Sequence, residues 1–397
     1  MRDPLALHQE LRQAGIPLGT DSPDDRVLAE ADYALSPRQH EGVPISYGFI
    51  SVRDSLALPG CLVVPPEQMT VSTARSLADG TSIFVLIQAG RYAGAAMLSQ
   101  PCTSELELVS LQIATQGIIA TSDSRGVTRF YFDTAIAICE HRQWRVKRPV
   151  SAIAGMVARR ILQGESVVLG RILEFCLHVL SPEKIGATLV WCLEEPCREL
   201  LDACVSQVHL GPLRLHFTQG GVFAPLRSIL QRNDGAALIS PDGCVLGAGA
   251  HLALSTKSQQ VVATESGTRH TSARRFSYDW DETVAFAVSA NGPVSVFSDG
   301  AKITEIVEVD PQNAAGHLQD LSERPDAGHS SWLEPCRRCG KTSRVEAIST
   351  PGRRERDRAA CEVCGTTLAE RSGTTLRAHV VKVARSSRTV GVPGRRS

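Results

Sequence analysis

Asn233-Asp234-Gly235-Ala236-Ala237-Leu238-Ile239-Ser240-Pro241-Asp242-Gly243-Cys244-Val245-Leu246-Gly247-Ala248 reads as two short strands around a tight turn. Runs 236–240 and 244–248 are too short for helices and too apolar for loops. Asp242-Gly243 between them tolerates the positive φ angles that a two-residue hairpin demands. Outward from this hairpin, 186–193 is a buried-strand run, and 196–208 and 223–231 have helical composition. Runs 284–289 and 294–297 form a further strand pair, separated by Asn291-Gly292 and closed by Asp299-Gly300. Upstream, 149–162 and 168–180 read as helices, the second with Ile172, Leu173, Cys176, Leu177 and Leu180 on one stripe. Strands mixed with helices over this span indicate an α/β layer architecture.

The 397 residues are enough for two or three domains. Between residues 45 and 146 short apolar or alternating runs dominate, at 82–87, 106–111, 117–121 and 127–132, which predicts strands. An N-terminal domain over 1–160, β-rich or α/β and opened by a helix at 5–14, therefore precedes a central domain at 165–308. A turn-rich polar linker is expected at 309–335. No clear repeat stands out. Gly126-Val-Thr-Arg-Phe130 and Gly292-Pro-Val-Ser-Val-Phe297 are faintly alike, as strands of similar composition are.

Lys and Arg total 42 against 42 Asp and Glu, so net charge selects no partner. Arg353, Arg354, Arg356, Arg358, Arg385, Arg388, Arg395 and Arg396 nevertheless make the C-terminal end basic. No apolar run is long enough to cross a bilayer, and Met1-Arg2-Asp3-Pro4 does not begin a signal peptide, so a cytoplasmic chain with no membrane partner is expected. Cys61, Cys102, Cys139, Cys176, Cys192, Cys197, Cys204 and Cys244 are scattered, as thiols packed like small hydrophobes are. That usage suits a reducing compartment.

Two motifs carry chemistry in the central domain. Asp234 places a carboxylate where it could hold a divalent cation, and Gly235 would let a ligand approach the backbone. In Glu265-Ser266-Gly267-Thr268-Arg269-His270-Thr271-Ser272-Ala273, a permissive turn leads into a helix start, where backbone N–H groups attract anions. The planar fork of Arg269 suits phosphate oxygens. There is no Gly-x4-Gly-Lys-Ser/Thr loop, no His-Glu-x-x-His, and no third glycine after Gly247-Ala248-Gly249.

In combination, Asp234-Gly235-Ala236 and Gly267-Thr268-Arg269-His270 resemble the two signatures of the diadenylate cyclase domain family. The resemblance covers about a third of the chain and does not extend to residues 1–160. It implies a central mixed β-sheet flanked by helices, and a homo-oligomer in which two domains face each other, each holding one ATP with Mg2+ or Mn2+. Each 3′-hydroxyl then attacks the other α-phosphate to give cyclic di-AMP. By the same resemblance Asp234, Arg269 and His270 are catalytic, and Gly235, Ala236, Gly267, Thr268 and Thr271 line the nucleotide. Thr271 stands where many members carry a second arginine, which Arg274 or Arg275 could replace. Ala290-Asn291 stand where some branches carry acids.

Cys336-Arg-Arg-Cys339-Gly340 and Cys361-Glu-Val-Cys364-Gly365 are paired knuckles that predict a structural Zn2+ site in a small ribbon over 336–368, with a hairpin between the pairs. A basic tail at 369–397 completes the chain. Two further functions stay open beside the cyclase. One is a catalytically silent sensor of ATP or a cyclic dinucleotide, favoured by Thr271 and Ala290. The other is a regulator that binds nucleic acid through ribbon and tail. An N-terminal sensor role rests on domain order alone.

Overall fold

The computed structural model describes residues 3–17, 26–36, 39–54, 60–133, 135–161, 166–194, 200, 204, 208–219, 221–308, 329–349, 356–372 and 374–381. The helix expected at 196–208 falls largely outside these, as do Cys197, Arg353, Arg354, Arg385, Arg388, Arg395 and Arg396.

The N-terminal part has a small pair, β1 (Gln39–His40) and β2 (Val43–Pro44), and an eight-stranded sheet. The sheet comprises β3 (Tyr47–Val52), β4 (Cys61–Val64), β5 (Ile83–Gln88), β6 (Arg91–Leu98), β7 (Ile118–Ser122), β8 (Thr128–Phe132), β9 (Ala135–Glu140) and β10 (Gln143–Lys147). Its order is β10-β9-β8-β7-β3-β5-β6-β4, antiparallel except for β3 with β5. Helices α1 (Pro4–Gln13), α2 (Arg26–Leu35) and α3 (Val71–Leu77) pack on one face with Phe49, Val85 and Ile87. Helix α4 (Glu105–Thr115) packs on the other with Ile50, Phe84 and Leu86.

Helix α4 corrects the strand expected at 106–111. Its alternation is overridden by a capping box, in which Glu107 N–H donates to Ser104 Oγ and Glu107 Oε2 accepts from the N–H groups of Thr103 and Ser104 at 2.7 and 2.8 Å. Leu108, Val109 and Leu111 then share one buried helical face.

Helices α5 (Val150–Arg160) and α6 (Val167–Phe175) follow, the latter continuing as a π turn at Cys176–Leu180. The central sheet comprises β11 (Ala187–Cys192), β12 (Val208–His209), β13 (Ala236–Ile239), β14 (Val245–Ala250), β15 (Thr283–Val288), β16 (Val294–Ser298) and β17 (Ala301–Ile306), a strand the sequence reading did not place. It runs β12-β14-β13-β11-β15-β16-β17, with β11 parallel to β13 and the other neighbours antiparallel. Helices α5, α6 and α7 (Phe223–Arg232) cover one face around Leu189 and Phe286. Helix α9 (Thr268–Asp279), preceded by α8 (Thr256–Val261), covers the other around Ala236 and Ala285. This is the mixed sheet flanked by helices that was expected.

Strand by strand, β3–β9 correspond to β11–β17: same order, same pairing senses, and the same helix positions between strands. The correspondence reaches individual turns. Ser122 and Val288 face the first residues of β3 and β11, Tyr47 and Ala187. The next residues make matching turns, Asp123 N–H to Val127 O (3.1 Å) with Gly126 N–H to Asp123 O, and Ser289 N–H to Pro293 O (2.9 Å) with Gly292 N–H to Ser289 O. The faint likeness of 126–130 to 292–297 thus falls on equivalent strands of one repeated topology, which sequence alone left unread.

The C-terminal unit forms two small sheets, β18 (His329–Pro335), β19 (Thr342–Ser349) and β22 (Thr374–Val380) in one, β20 (Arg356–Ala360) and β21 (Thr367–Ser372) in the other. The last seven residues of the expected linker are therefore strand, and strands continue past residue 368. Among the described residues β19 and β20, which lie between the cysteine pairs, do not form the expected hairpin but belong to different sheets. Of the scattered cysteines, Cys139, Cys176, Cys192 and Cys204 are buried.

Candidate functional site

The two signatures meet at one end of the central sheet. Asp234 precedes β13, and its side chain is 98 % exposed, with Oδ1 3.8 Å from Nη2 of Arg269 at the start of α9. The guanidinium lies over Gly186, the residue before β11: a Cβ added there would stand 2.5 Å from Arg269 Nη1 and 3.4 Å from the Ala290 amide. Gly186 was not singled out from sequence. Its only signal there is a glycine immediately before a buried strand.

Gly235 has φ +112, and an added Cβ would stand 2.5 Å from the carbonyl carbon of Gly249 on β14. This glycine is required by its neighbouring strand, a reason additional to the ligand approach expected from sequence. Ala236 is buried in the layer formed with Ala273 and Phe276 of α9. It supports the site from beneath.

Gly267 caps α9 through extended backbone, and no side-chain hydrogen bond closes the helix start. The first-turn amides beside exposed Thr268 and Arg269 are therefore left without a side-chain cap, the condition in which a helix start can take an anion. The His270 ring sits edge-on to Phe297 at 6.3 Å. Burial, and next the Lys302 ammonium, hold its pKa below the usual 6.5 against the opposing pull of Glu265 and Glu305, so the ring is mainly neutral at neutral pH.

Thr271 faces inward. Its hydroxyl accepts from Glu265 N–H at 3.0 Å, closing the loop that precedes the helix. Arg274 does not stand in for the missing arginine. It is buried, donating to Glu265 Oε1 (2.8 Å), to Gly300 O (2.9 Å) and to the carbonyls of Glu362 and Val363 in the cysteine unit. Arg275 turns to Gln259 O at 3.2 Å. Lys302 Nζ completes the Glu265 ion cluster at 2.7 Å.

The four knuckle cysteines converge, all Sγ atoms lying within 4.8 Å of one another, with Cys336–Cys364 at 3.5 Å and Cys339–Cys361 at 3.6 Å. A tetrahedral thiolate site with bonds of about 2.3 Å implies sulfur separations of about 3.8 Å, so the donor set fits such an ion. This unit packs directly behind α9, where Tyr278 Oη donates to Cys339 O (2.8 Å) and Ala263 N–H to Val363 O (3.2 Å). Among its basic side chains, Arg371 stacks on Trp332 and Arg356 and Arg358 pair with Glu370.

A largely buried triad joins the first two domains. Glu105 of α4 accepts from Lys147 Nζ of β10 and pairs with His178 Nδ1 of the π turn, each at 2.9 Å.

Comparison with known proteins matches residues 175–302 to the DAC family model, "DisA bacterial checkpoint controller nucleotide-binding". Residues 6–148 match "Probable sensor domain DACNK". Among solved structures the chain is similar to a hypothetical membrane spanning protein from Bacillus cereus, with 23 % identity over 39 % of this chain and 71 % of that one and a TM-score of 0.30. It is also similar to a double mutant of DacA from Staphylococcus aureus, with 19 % identity over 43 % of this chain and 95 % of that one and a TM-score of 0.21. No curated protein matches the chain.

Proposed function

We propose that the DAC nucleotide-binding domain at residues 175–302 condenses two ATP into cyclic di-AMP and pyrophosphate, across domains from two copies of the chain. The observation that carries the reading is the meeting of Asp234 with Arg269 over Gly186. It puts a carboxylate for the metal and a guanidinium for phosphate on one open surface, beside an uncapped helix start. In each step the 3′-hydroxyl oxygen of one ATP bonds to the α-phosphorus of the other. The P–O bond to the β-phosphate breaks, pyrophosphate leaves and the hydroxyl proton is released. Two such steps close the ring.

Asp234 would hold Mg2+ or Mn2+; a lone exposed carboxylate suits an ion that keeps several waters and shares the substrate phosphates. When bound, that ion neutralises phosphate charge at the reacting centre. Arg269 and the α9 amides orient the phosphates, and neutral His270 adds a hydrogen bond without a second cation. The Cys336, Cys339, Cys361 and Cys364 set is read as a structural Zn2+ site. The family match at residues 6–148 and the Lys147–Glu105–His178 triad support a sensor that acts on the nucleotide domain by direct contact. No described helix is long and apolar enough to cross a membrane; a cytoplasmic location is part of the proposal.

The test is purified protein with ATP and Mg2+ or Mn2+, followed by mass spectrometry of the nucleotides. Cyclic di-AMP that disappears in Asp234→Asn is the expected result. A second reading, a silent nucleotide receiver, is favoured by the inward Thr271 and the buried Arg274, which leave no second guanidinium at the helix start. Bound ATP with no product under any condition would decide for it.

A further inference from the structure

In the central domain the nucleotide motifs gather at one end of the sheet: the entries to β11 and β13, the start of α9, and the β15–β16 turn. The corresponding end of the N-terminal sheet opens on a cavity of about 870 Å3, within the roughly 300–1,000 Å3 range of small-molecule sites. Its lining follows the shared topology. Ser46 stands at the entry to β3, Gly80 before β5, Ser104 at the start of α4, and Asp123 in the β7–β8 turn. The opposite wall belongs to the central domain, through the loop holding Ser181 and Lys184 and the turn at Asn291 and Gly292.

We infer that this interdomain cleft is a second ligand site, taking a small, net-uncharged, hydrogen-bonding metabolite, at the place where its partner domain takes a nucleotide. Ser122 lies in its lining, 3 % exposed, and its Oγ has no hydrogen-bond partner. A buried hydroxyl left in that state at a cavity wall awaits a partner from the cavity. The features that would hold a phosphate are capped or matched by carboxylates. The α4 start is capped by Ser104 and Glu107. Asp79 Oδ1 already accepts from the N–H groups of Thr81, Ser82 and Ile83 at 2.7, 2.7 and 3.0 Å. Arg125 and Arg129 share Asp123, Arg145 pairs with Glu140 and Glu308, and Lys147 with Glu105, four cations against four carboxylates, and Lys184 of the opposite wall is balanced in the lining by Asp79. Apart from these matched charges the lining is mainly hydroxyl groups and the apolar surfaces of Leu108, Ile138 and Leu177. Such a lining disfavours a phosphate, whose charge would lose hydration without gaining an excess cation.

The site also reaches the nucleotide. Ser181 Oγ donates to Gly292 O at 2.5 Å, tying together two loops that border the cleft on one side. On the other side the same loops end at Gly186 and Ala290, beside Arg269. A ligand that orders these loops changes how Arg269 is held, which makes it an effector of the proposed nucleotide chemistry; this consequence rests on the cyclase reading, whereas binding does not.

The experiment titrates the full chain with matched probes, adenosine against AMP and glucose against glucose 6-phosphate, and locates the contact by hydrogen exchange. Slowed exchange at 79–83, 102–107 and 121–127 with an uncharged probe is expected. Affinity should fall about tenfold in Ser122→Val, the scale of one buried hydrogen bond. Protection of the cleft by a phosphorylated probe alone, no protection by any of the four, or undiminished affinity in Ser122→Val would each overturn the site. The readout needs no ATP turnover, so a failed cyclase and a failed cleft are told apart.

Discussion

Gly186→Ala should separate site geometry from folding. The glycine is not in the left-handed region, so alanine adopts its backbone without strain. Fewer unfolded conformations would then raise stability by about 0.4–1 kcal/mol. The added methyl meets Arg269 Nη1 at 2.5 Å and Cζ at 3.1 Å, about 1 Å inside the roughly 3.5 Å of ordinary contact. The obstructing atoms are the free end of a flexible side chain, so the guanidinium swings away and the strand stays. Misplacing a positioning group by about 1 Å costs on the order of 100-fold in rate, or about 2.7 kcal/mol in the barrier. Urea denaturation should therefore show equal or greater stability, while cyclic di-AMP formation falls by about two orders of magnitude. Wild-type turnover in Gly186→Ala would refute the assignment of Arg269, in its observed position, to phosphate. A stability loss above about 1 kcal/mol would refute the claim that only the side chain yields.

Gly235→Ala should do the reverse, losing about 2–4 kcal/mol in urea melts, because positive φ and contact with the β14 backbone act together; a loss under about 1 kcal/mol would show that β14 gives way. Arg274→Lys keeps a cation opposite Glu265 but cannot reach all the carbonyls the guanidinium serves, so exchange of the 265–271 amides should rise about tenfold. Unchanged exchange there would mean that the cysteine unit does not brace the loop. Glu105 is buried, which alone would raise its pKa, yet His178 and Lys147 outweigh that and hold it below the usual carboxylate range. Its folded pKa thus lies below its unfolded one, so its stabilisation is complete above about pH 4.5 and is lost as pH falls through the folded value. Urea midpoints of Glu105→Gln should accordingly change less between about pH 6 and pH 3 than those of the wild type, and parallel curves would remove the triad from the acid response.

Much of the site was legible because signatures are local. Asp234 and Arg269 were recognisable by their immediate neighbours, and the structure brings them together. The cysteine pairs were legible for the same reason, since each knuckle is a turn of a few residues. Helix α4 was misread because Leu106–Leu111 alternates while the deciding residues, Ser104 and Glu107, act through a cap at its edge. Thr271 and Arg274 could not be placed, because a helix start has more than one face and sequence does not say which meets a partner.

The sequence by itself determined many of the strands, helices and turns of the central domain, the two nucleotide signatures and the cysteine knuckles, all set by residues a few positions apart. Only the tertiary structure decided that Gly235 answers Gly249, that Gly186 makes room for Arg269, and that Arg274 turns to the cysteine unit. It alone showed that two sheets with little common sequence share one topology. The physical reason is that strand pairing specifies backbone hydrogen bonds and a buried face, which many side chains satisfy. The partner of any one side chain depends on what distant segments bring beside it.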